Sequence, residues 1–205
     1  MTVQIGCIVE GKSEVEAVPI LIRRIAEDLY PELRIDIPRS FRVSRNQVVK
    51  MGEIERAVDF TAQKIGGRGA ILIILDSDDD CPAQLGPELL RRARQVRNDL
   101  PIAVVLAKHE FESWFLAAAE SLQGQRGLNS DLQSPNDPEA ISGAKEWLSQ
   151  RMESTGTYSP TADQPGLTAR FDLDQARQAD SFDKCYRDIA RLLSELQKAC
   201  AQPVR

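Results

Sequence analysis

The strongest chemical signal in the sequence is a group of aspartates that directly follows an apolar run. The segment 71–80 reads ILIILDSDDD, five apolar residues followed by four acids and one serine. Because side-chain direction repeats every two residues in an extended chain, Asp76 and Asp78 are expected to point the same way, and Asp80 could join them. Two carboxylates about 4 Å apart repel by roughly 4 kcal/mol at an effective dielectric near 20. Such a group therefore needs protons, basic partners or a cation, and Mg²⁺ (or Mn²⁺) is the simplest answer.

The same run also has an ordinary interpretation, because aspartate and serine are common in solvated turns and at helix N-termini. Other acids add weight to the metal hypothesis. Glu10 follows another apolar stretch, VQIGCIV, and Glu110 and Glu112 follow a third, IAVVLA. The carboxyl ends of parallel strands meet in a ligand crevice, so these acids are expected to converge there. Two divalent ions roughly 4 Å apart could then serve the attacking and leaving oxygens of a phosphodiester.

The elements that must position these acids alternate between apolar, β-branched runs and amphipathic segments. This alternation predicts an α/β fold with a mostly parallel sheet flanked by helices and right-handed crossovers. Ser13 and Glu16 are expected to form a capping box on the first helix, and Pro87 is expected at the first position of the third helix. Strands are predicted at 3–9, 33–38, 70–75 and 102–107, and helices at 13–30, 53–65, 87–99 and 111–122.

From about residue 123 the sequence changes character and becomes poor in core residues. We therefore predict a core at 1–122 and a helical and loop appendage at 123–205, packed on the sheet as part of one structural domain. Ser181 is the expected N-cap of a final amphipathic helix. Loops are predicted at 123–138 and 153–168, and helices at 139–152 and 181–200.

The composition is that of a soluble globular protein, with 42% hydrophobic and 28% charged residues. The longest apolar runs, such as AILIIL, are far shorter than the roughly 20 residues that cross a bilayer. The N-terminal segment lacks the features of a signal peptide, so a cytoplasmic location is expected. The formal net charge of −5 argues against a protein that coats nucleic acid by bulk electrostatics. Dispersed cysteines argue against a zinc site or a disulfide framework: Cys7, Cys81, Cys185 and Cys200.

Several motifs together resemble a known domain. VEGKSE at the end of the first predicted strand, LDSDDD at the end of the third and EFESWFL after the fourth are similar to the Toprim domain. That domain is the metal-binding module of topoisomerases, primases and OLD-type nucleases. Over its full length, the chain more closely resembles a Toprim-like bacterial family, domain of unknown function 4276. The segments YSPTADQPGLTARFDL and SFDKCYRDI also resemble that family.

The resemblance implies roles for five acids. Glu10 matches the Toprim glutamate, which acts as a general acid or base or holds a metal. Asp76 and Asp78 match the DxD pair that binds Mg²⁺. Glu110 and Glu112 resemble the acidic pair of OLD-type nucleases that helps to bind a second metal.

Two further features concern the charge of this site. Asp79 and Asp80 make the run more acidic than a plain DxD motif, which leaves the choice of metal ligands open, with Asp80 a candidate. OLD-type nucleases use a lysine to neutralise charge on phosphate, and the resemblance suggests this catalytic role for Lys145. A solvated position on a helix surface is the alternative for this lysine.

Basic residues that could meet a nucleic-acid backbone are less distinctive. Lys12 lies in the predicted glycine turn, next to a helix N-terminus that could bind phosphate. The segment PRSFRVSR places Arg39, Arg42 and Arg45 around Phe41, which suits contact with nucleic acid, and RRARQVR is the next candidate. A solvated face is the alternative for each of these segments.

Other residues have weaker assignments. The only histidine, His109, could act as a general base near neutral pH, or it could be structural. Three aromatic residues at helical positions are predicted to pack in the core: Trp114, Phe115 and Trp147. The family likeness suggests a role over the site for three residues of a polar loop: Tyr158, Asp163 and Gln164.

These observations lead to a Mg²⁺-dependent phosphodiester-cleaving enzyme, a nuclease acting on DNA or RNA, as the leading hypothesis. The sequence has no GxxxxGK[ST] loop, so a partner ATPase would have to supply energy from nucleotide hydrolysis, and anti-phage defence is suggested by analogy. One alternative is a non-catalytic Toprim-like subunit that binds an ATPase partner through its helical tail. Another is an enzyme that hydrolyses nucleotides or small phosphoesters. The sequence does not indicate an oligomeric state.

Overall fold

The computed structural model describes residues 2–153 and 156–201. Its centre is a parallel sheet in the order β2-β1-β4-β5, with the short strand β3 also paired to β1. This confirms the predicted α/β class with a parallel sheet. The strands are β1 Thr2–Val9, β2 Arg34–Asp36, β3 Phe41–Arg42, β4 Ala70–Asp76 and β5 Ile102–Ala107.

Helices cover both faces of the sheet because alternate strand residues point to opposite sides. Val3, Ile5 and Cys7 of β1 join one hydrophobic cluster with the first and last long helices. Ile71 and Ile73 of β4 join a second cluster on the other face, with the helices that precede and follow β4. The helices are α1 Glu14–Leu29, α2 Arg45–Val48, α3 Glu53–Lys64, α4 Pro82–Val96, α5 Ser113–Ala117, α6 Ala144–Ser149, α7 Pro160–Thr168, α8 Leu173–Ala176 and α9 Asp180–Ala201.

The first cluster also contains the residues that follow position 122. Trp114 packs against Phe182 of α9 with ring centroids 5.3 Å apart, and Phe115 packs against Phe171 at 5.6 Å. All four rings are fully buried. Trp114 and Phe115 thus lie in the core as predicted, while Trp147 is partly buried against it. The residues after position 122, called the tail below, therefore share one hydrophobic core with this face of the sheet.

Two predicted helix boundaries were wrong, and in the first of them a proline was placed in the wrong role. The helix predicted from Pro87 begins at Pro82, and Pro87 lies inside it. The helix predicted at 111–122 is the short α5, followed by a 3₁₀ turn at Ala119–Leu122. Pro82 occupies the first-turn position that tolerates a missing N–H group.

The loop prediction for 153–168 was also wrong for most of its length, although residues 154–155 lie outside the described residues. Residues 160–168 form helix α7. Two prolines and a glycine made this segment resemble a loop, but Gln164, Leu167 and Thr168 are buried and anchor it. Tertiary packing therefore outweighs the weak local helix propensity.

Ser181 does not cap the final helix from outside. It lies inside α9, which begins at Asp180. Its Oγ atom accepts hydrogen bonds from the backbone N–H of Lys108 (3.2 Å) and from Nε1 of Trp114 (2.8 Å). This serine therefore ties the end of β5 and α5 to the tail. Across the described parts of the chain, no helix is both long and apolar enough to cross a membrane.

Candidate functional site

The ends of adjacent strands bring the predicted acids to one edge of the sheet. Val9 of β1 pairs with Ile74 of β4, so Glu10 leaves the sheet next to the end of β4. Asp76 is the last residue of β4 and is held in place from the side of β5. Its Oδ1 atom accepts a 2.8 Å hydrogen bond from the backbone N–H of Phe111. Parallel pairing thus creates the acidic edge that the sequence predicts.

The turns that follow β4 and β5 are bonded to each other. The Asp78 N–H group donates to the carbonyl oxygen of His109 (3.1 Å), and His109 Nδ1 donates to the carbonyl oxygen of Asp78 (3.0 Å). The His109 N–H group donates to Ser77 Oγ (3.0 Å). Asp78 and His109 both have positive φ angles, 48° and 59°. This conformation costs about 1 kcal/mol for a residue other than glycine, and the paired turns hold it.

Glu14 closes the turn between β1 and α1. Its buried carboxylate accepts hydrogen bonds from the backbone N–H groups of Glu10 (3.1 Å) and Gly11 (2.5 Å). A Cβ atom at Gly11 would lie 2.6 Å from Glu14 Oε1, so glycine makes room for the carboxylate. The predicted capping box of Ser13 and Glu16 was wrong, because the Ser13 side chain makes no hydrogen bond to the first turn of α1.

Glu10, Glu14 and Asp76 share a poorly solvated space. Burial raises the pKa of Glu10 more than the backbone N–H groups of Arg45 and Asp76 lower it. Burial, followed by the charges of Glu14 and Glu112, raises the pKa of Asp76 well above its usual range. Within residues 2–153 and 156–201, the buried Oε2 atom of Glu10 has no hydrogen-bond partner. Ionised carboxylates in this part of the site are not balanced by the hydrogen bonds they make.

The second acidic pair has a cation of its own. Lys145 Nζ lies 2.7 Å from Oε1 of Glu110 and 3.3 Å from Oε2 of Glu112. The Lys145 backbone N–H group also donates to Glu110 Oε2 (3.2 Å). Burial lowers the pKa of Lys145, but the charge of Glu112, the hydrogen bond to Glu110 and the charge of Asp76 raise it by more. Lys145 is therefore a stable ammonium group inside the site.

Glu112 is the most deeply buried of these acids, with 0% of its surface exposed. Its Oε1 atom accepts hydrogen bonds from Tyr158 Oη (2.9 Å) and Gln164 Nε2 (3.1 Å). The tail thus supplies two polar contacts to the site. Asp163 has a structural role beside them, because its carboxylate accepts a hydrogen bond from the Ser159 N–H group (2.9 Å) and pairs with Arg126 (3.3 Å).

The last aspartates of the DSDDD run face solvent. Asp78, Asp79 and Asp80 are exposed. Asp80 forms an ion pair with Arg45, whose side chain is only 7% exposed. The Asp80 side chain of this pair is exposed, but the predicted nucleic-acid contact from Arg45 would still require the pair to open.

The other predicted basic contacts are accessible. Arg39, Arg42 and Lys12 are all exposed. Arg42 belongs to β3 and pairs with Val9, the residue before Glu10. Lys12 lies in the turn that Glu14 closes. Two exposed cations therefore flank the end of β1.

The donors of this cluster suit a hard divalent cation, although they do not form a ready ligand shell. Among the described residues, no three His, Cys, Asp or Glu side chains are arranged to hold a metal ion as they lie. The chemistry of the donors nevertheless fits such an ion. A buried carboxylate oxygen of Glu10 lacks a partner in this part of the chain, and Asp76 beside it carries a strongly raised pKa. A cation would satisfy both groups.

Sequence reasoning missed Glu14 as a member of the site. Its signal was present, because Glu14 lies in the first turn of α1, where an acid meets unpaired N–H groups and the positive end of the helix dipole. Glu112 and Asp76 are far from Glu14 along the chain, so the sequence could not predict that they would be its neighbours.

The fold and site define a mixed α/β protein with a carboxylate cluster at the carboxyl edge of a parallel sheet. The profile of a family described as a domain of unknown function (DUF4276) matches residues 9–190. Because the match covers most of the chain, the protein belongs to this family, which confirms the predicted membership. Comparisons with curated proteins and with solved structures found no match. The wider resemblance to Toprim domains stays a prediction.

Proposed function

We propose that this protein is a Mg²⁺-dependent phosphodiester-cleaving enzyme, a nuclease of the Toprim type acting on DNA or RNA. The observation that carries the proposal is the pair of partly buried carboxylates, Glu10 and Asp76, at the ends of adjacent parallel strands. Each group has a raised pKa, and Glu10 Oε2 has no partner among the residues described. Perturbed acids gathered at strand ends are typical of functional sites.

Glu10 and Asp76 would hold the ion, with the exposed Asp78 completing the protein ligands. A bound divalent ion would supply the positive charge that polarises a phosphodiester and lowers the pKa of water. Phe111 keeps Asp76 oriented through its backbone N–H group. Glu14 positions the Glu10 backbone by binding its N–H group. Burial raises the pKa of Glu10, which makes its carboxylate a better proton acceptor than an exposed glutamate.

The distribution of charge favours one ion over two. Glu110 and Glu112 are the acids that the Toprim resemblance assigns to a second metal, but both contact the ammonium of Lys145. A second ion there would have to displace this lysine or sit beside it against charge repulsion. We infer that Lys145 takes the electrostatic place of a second cation. From that position it would offset negative charge on the phosphate.

A polyanionic substrate is consistent with the surface at the end of β1. Lys12 and Arg42 are exposed on either side of Glu10, whereas Arg45 is buried against Asp80. Exposed cations beside an acidic metal site attract phosphates while the ion neutralises the carboxylates. Arg39 lies close in sequence and is also exposed.

The direct experiment is nicking of supercoiled plasmid DNA with Mg²⁺ or Mn²⁺. Wild type should nick the plasmid, and Glu10→Gln and Asp76→Asn should each lose at least 100-fold in rate. Asp131→Asn is the matched control, because it changes the same charge at an exposed site in another part of the chain. Equal rates in all four proteins would indicate contamination and refute the proposal. Absence of nicking in wild type would refute nuclease activity on DNA, and a labelled RNA would test the other substrate.

A non-catalytic subunit of an ATPase partner is the second candidate. Two observations favour it: Lys145 already pairs with two acids of the cluster, Glu110 and Glu112, and the net charge of the chain is −5. In that case Asp76→Asn would leave every cellular phenotype of the protein intact. Loss of the phenotype in a folded Asp76→Asn variant would instead support catalysis, including any role in anti-phage defence.

A further inference from the structure

A cavity of about 710 Å³ opens beside the carboxylate site. It lies between the beginning of α4, the carboxyl half of β5 and the beginning of α9. Pro82, Gly86, Val104 and Leu106 contribute apolar walls. Cavities of roughly 300–1,000 Å³ with mostly apolar walls and a few polar groups are typical binding sites for small molecules or parts of larger ligands.

The cavity adjoins the acids through one turn of the chain. His109 lines the cavity, and its backbone and imidazole are hydrogen bonded to the backbone of Asp78. Asp78 is a predicted ligand of the metal. The bonded pair of Asp78 and His109 therefore connects the cavity to the carboxylate site.

Gly86 gives independent evidence that this space is open. The glycine is buried, yet an added Cβ atom would meet nothing within 4 Å in the described part of the chain. A buried helix position would ordinarily bring a Cβ atom into van der Waals contact, because protein interiors are close-packed. The free space at Gly86 thus belongs to the cavity and not to a loosely packed core.

The polar groups at the rim suit a flat ring with both donors and acceptors on its edge. Lys108, His109, Asp137 and Glu139 all line the cavity. One carboxylate oxygen of Asp137 accepts from the Ala140 N–H group and one of Glu139 from that of Ser181, which leaves the second oxygen of each as an acceptor for a ligand. A strand of a partner protein fits less well, because side chains of α9 already bind the carbonyl groups of β5. Lys184 Nζ donates to the Val104 carbonyl oxygen (2.8 Å), and Arg191 donates to that of Ile102 (3.2 Å).

We propose that this cavity binds a nucleobase of the nucleic-acid substrate, next to the phosphate that lies at the carboxylate site. This inference rests on the proposed nuclease function. The base inserts between α4 and β5, where its edge meets the donors and acceptors at the rim of the cavity. The turns that contain Asp78 and His109 set the distance between the base and the phosphate. The apolar walls would bind the base by removing its faces from water, an attraction that does not depend on the charge of the surface.

Two variants at one position test the cavity. Gly86→Leu fills the open space, whereas Gly86→Ala removes the same helix glycine and leaves most of the space empty. Binding of adenosine, guanosine, cytidine and uridine is measured by saturation-transfer NMR in EDTA, with ribose as the control ligand. At least one nucleoside should bind wild type and Gly86→Ala, and Gly86→Leu should bind it at least tenfold more weakly. Nucleosides that bind no better than ribose, or that bind Gly86→Leu as well as Gly86→Ala, would overturn the inference.

Nicking assays separate this inference from the proposed function. If both are right, Gly86→Leu raises the KM for a short oligonucleotide at least tenfold over Gly86→Ala, with the same affinity for Mn²⁺. Nucleoside binding without any nuclease activity in wild type would refute the proposed function and leave a nucleobase cavity. Nuclease activity with equal KM values in the two variants would refute the cavity proposal and leave the function standing.

Discussion

Two groups of carboxylates lie at the same edge of the sheet, and the chain balances them in different ways. Glu110 and Glu112 contact the ammonium of Lys145, and Glu112 also receives hydrogen bonds from the tail. Glu10 and Asp76 are bonded mainly through backbone N–H groups and have no ammonium group in contact with them among the described residues. Burial raises the pKa of Glu112 as it raises those of Glu10 and Asp76, so the contact with Lys145 is what distinguishes the two groups. The first group carries its own cation, whereas the second requires protons or an ion from solution.

The difference indicates that one acidic edge can serve two purposes. Lys145 fixes the geometry of one pair of acids, and the other pair is left to bind a cation. A built-in ammonium fixes geometry permanently, because its charge does not depend on the concentration of a metal. An unbalanced pair is a poor structural element but a good receptor for a cation, since binding relieves the repulsion and the desolvation. Replacement of Lys145 should therefore lower the free energy of unfolding, whereas replacement of Asp76 should not.

The largest expected effect on stability comes from Lys145→Met. The change leaves Glu112 buried without its cation and should lower the free energy of unfolding by about 3 kcal/mol. Urea denaturation followed by circular dichroism measures this loss. Lys145→Arg keeps the charge and should recover most of it. If Lys145→Met were as stable as wild type, the claim that Lys145 balances the charges of Glu110 and Glu112 would be wrong.

Tyr158→Phe tests the hydrogen bonds that the tail gives to Glu112. The variant removes the 2.9 Å contact from Tyr158 Oη and should destabilise the protein by about 1–2 kcal/mol. Tyr30→Phe is the matched control, because Tyr30 is only partly buried and lies at the end of α1. Equal stability of the two variants would mean that the tail contributes packing to the site but no useful polar contact.

Asp76→Asn should have the smallest effect on stability and the opposite sign. Because the pKa of Asp76 is raised in the folded protein, its stabilising contribution is complete below its ordinary pKa of 3.8 and is lost as the pH rises through the raised value. In EDTA the variant should thus gain about 1 kcal/mol over wild type at pH 8, and the gain should shrink towards pH 4. Urea denaturation at both pH values measures the difference. A variant that is less stable than wild type at pH 8 would show that ionised Asp76 is already well balanced.

The sequence was sufficient for four of the five strands found in the described residues and for bringing Glu10 and Asp76 to one edge, because parallel strands bring their carboxyl ends together. The apolar runs before Glu10 and Asp76 carried that information. The two-residue strand β3 was not predicted. The sequence was not sufficient for Glu14 or for the contacts of Lys145, which depend on how α6 packs against α5. Nor could it identify α7, since the local preference of a proline-rich segment opposes the helix that burial of Gln164 stabilises.

The buried location of Arg45 illustrates the same limit. PRSFRVSR carries three arginines with similar local surroundings, yet one is buried against Asp80 and two are exposed. Only the pairing of β3 with β1 and the position of α2 distinguish them. Charge patterns in a sequence therefore indicate candidate contacts, and the fold selects among them.

The most direct test of the account is the number of Mn²⁺ ions bound per chain, measured by isothermal titration calorimetry after treatment with EDTA. Wild type should bind one ion, Glu10→Gln should lose it, and Glu110→Gln and Asp80→Asn should retain it. Two ions per chain in wild type, or one ion whose affinity is unchanged in Glu10→Gln, would contradict the division into a metal-binding pair and a lysine-balanced pair.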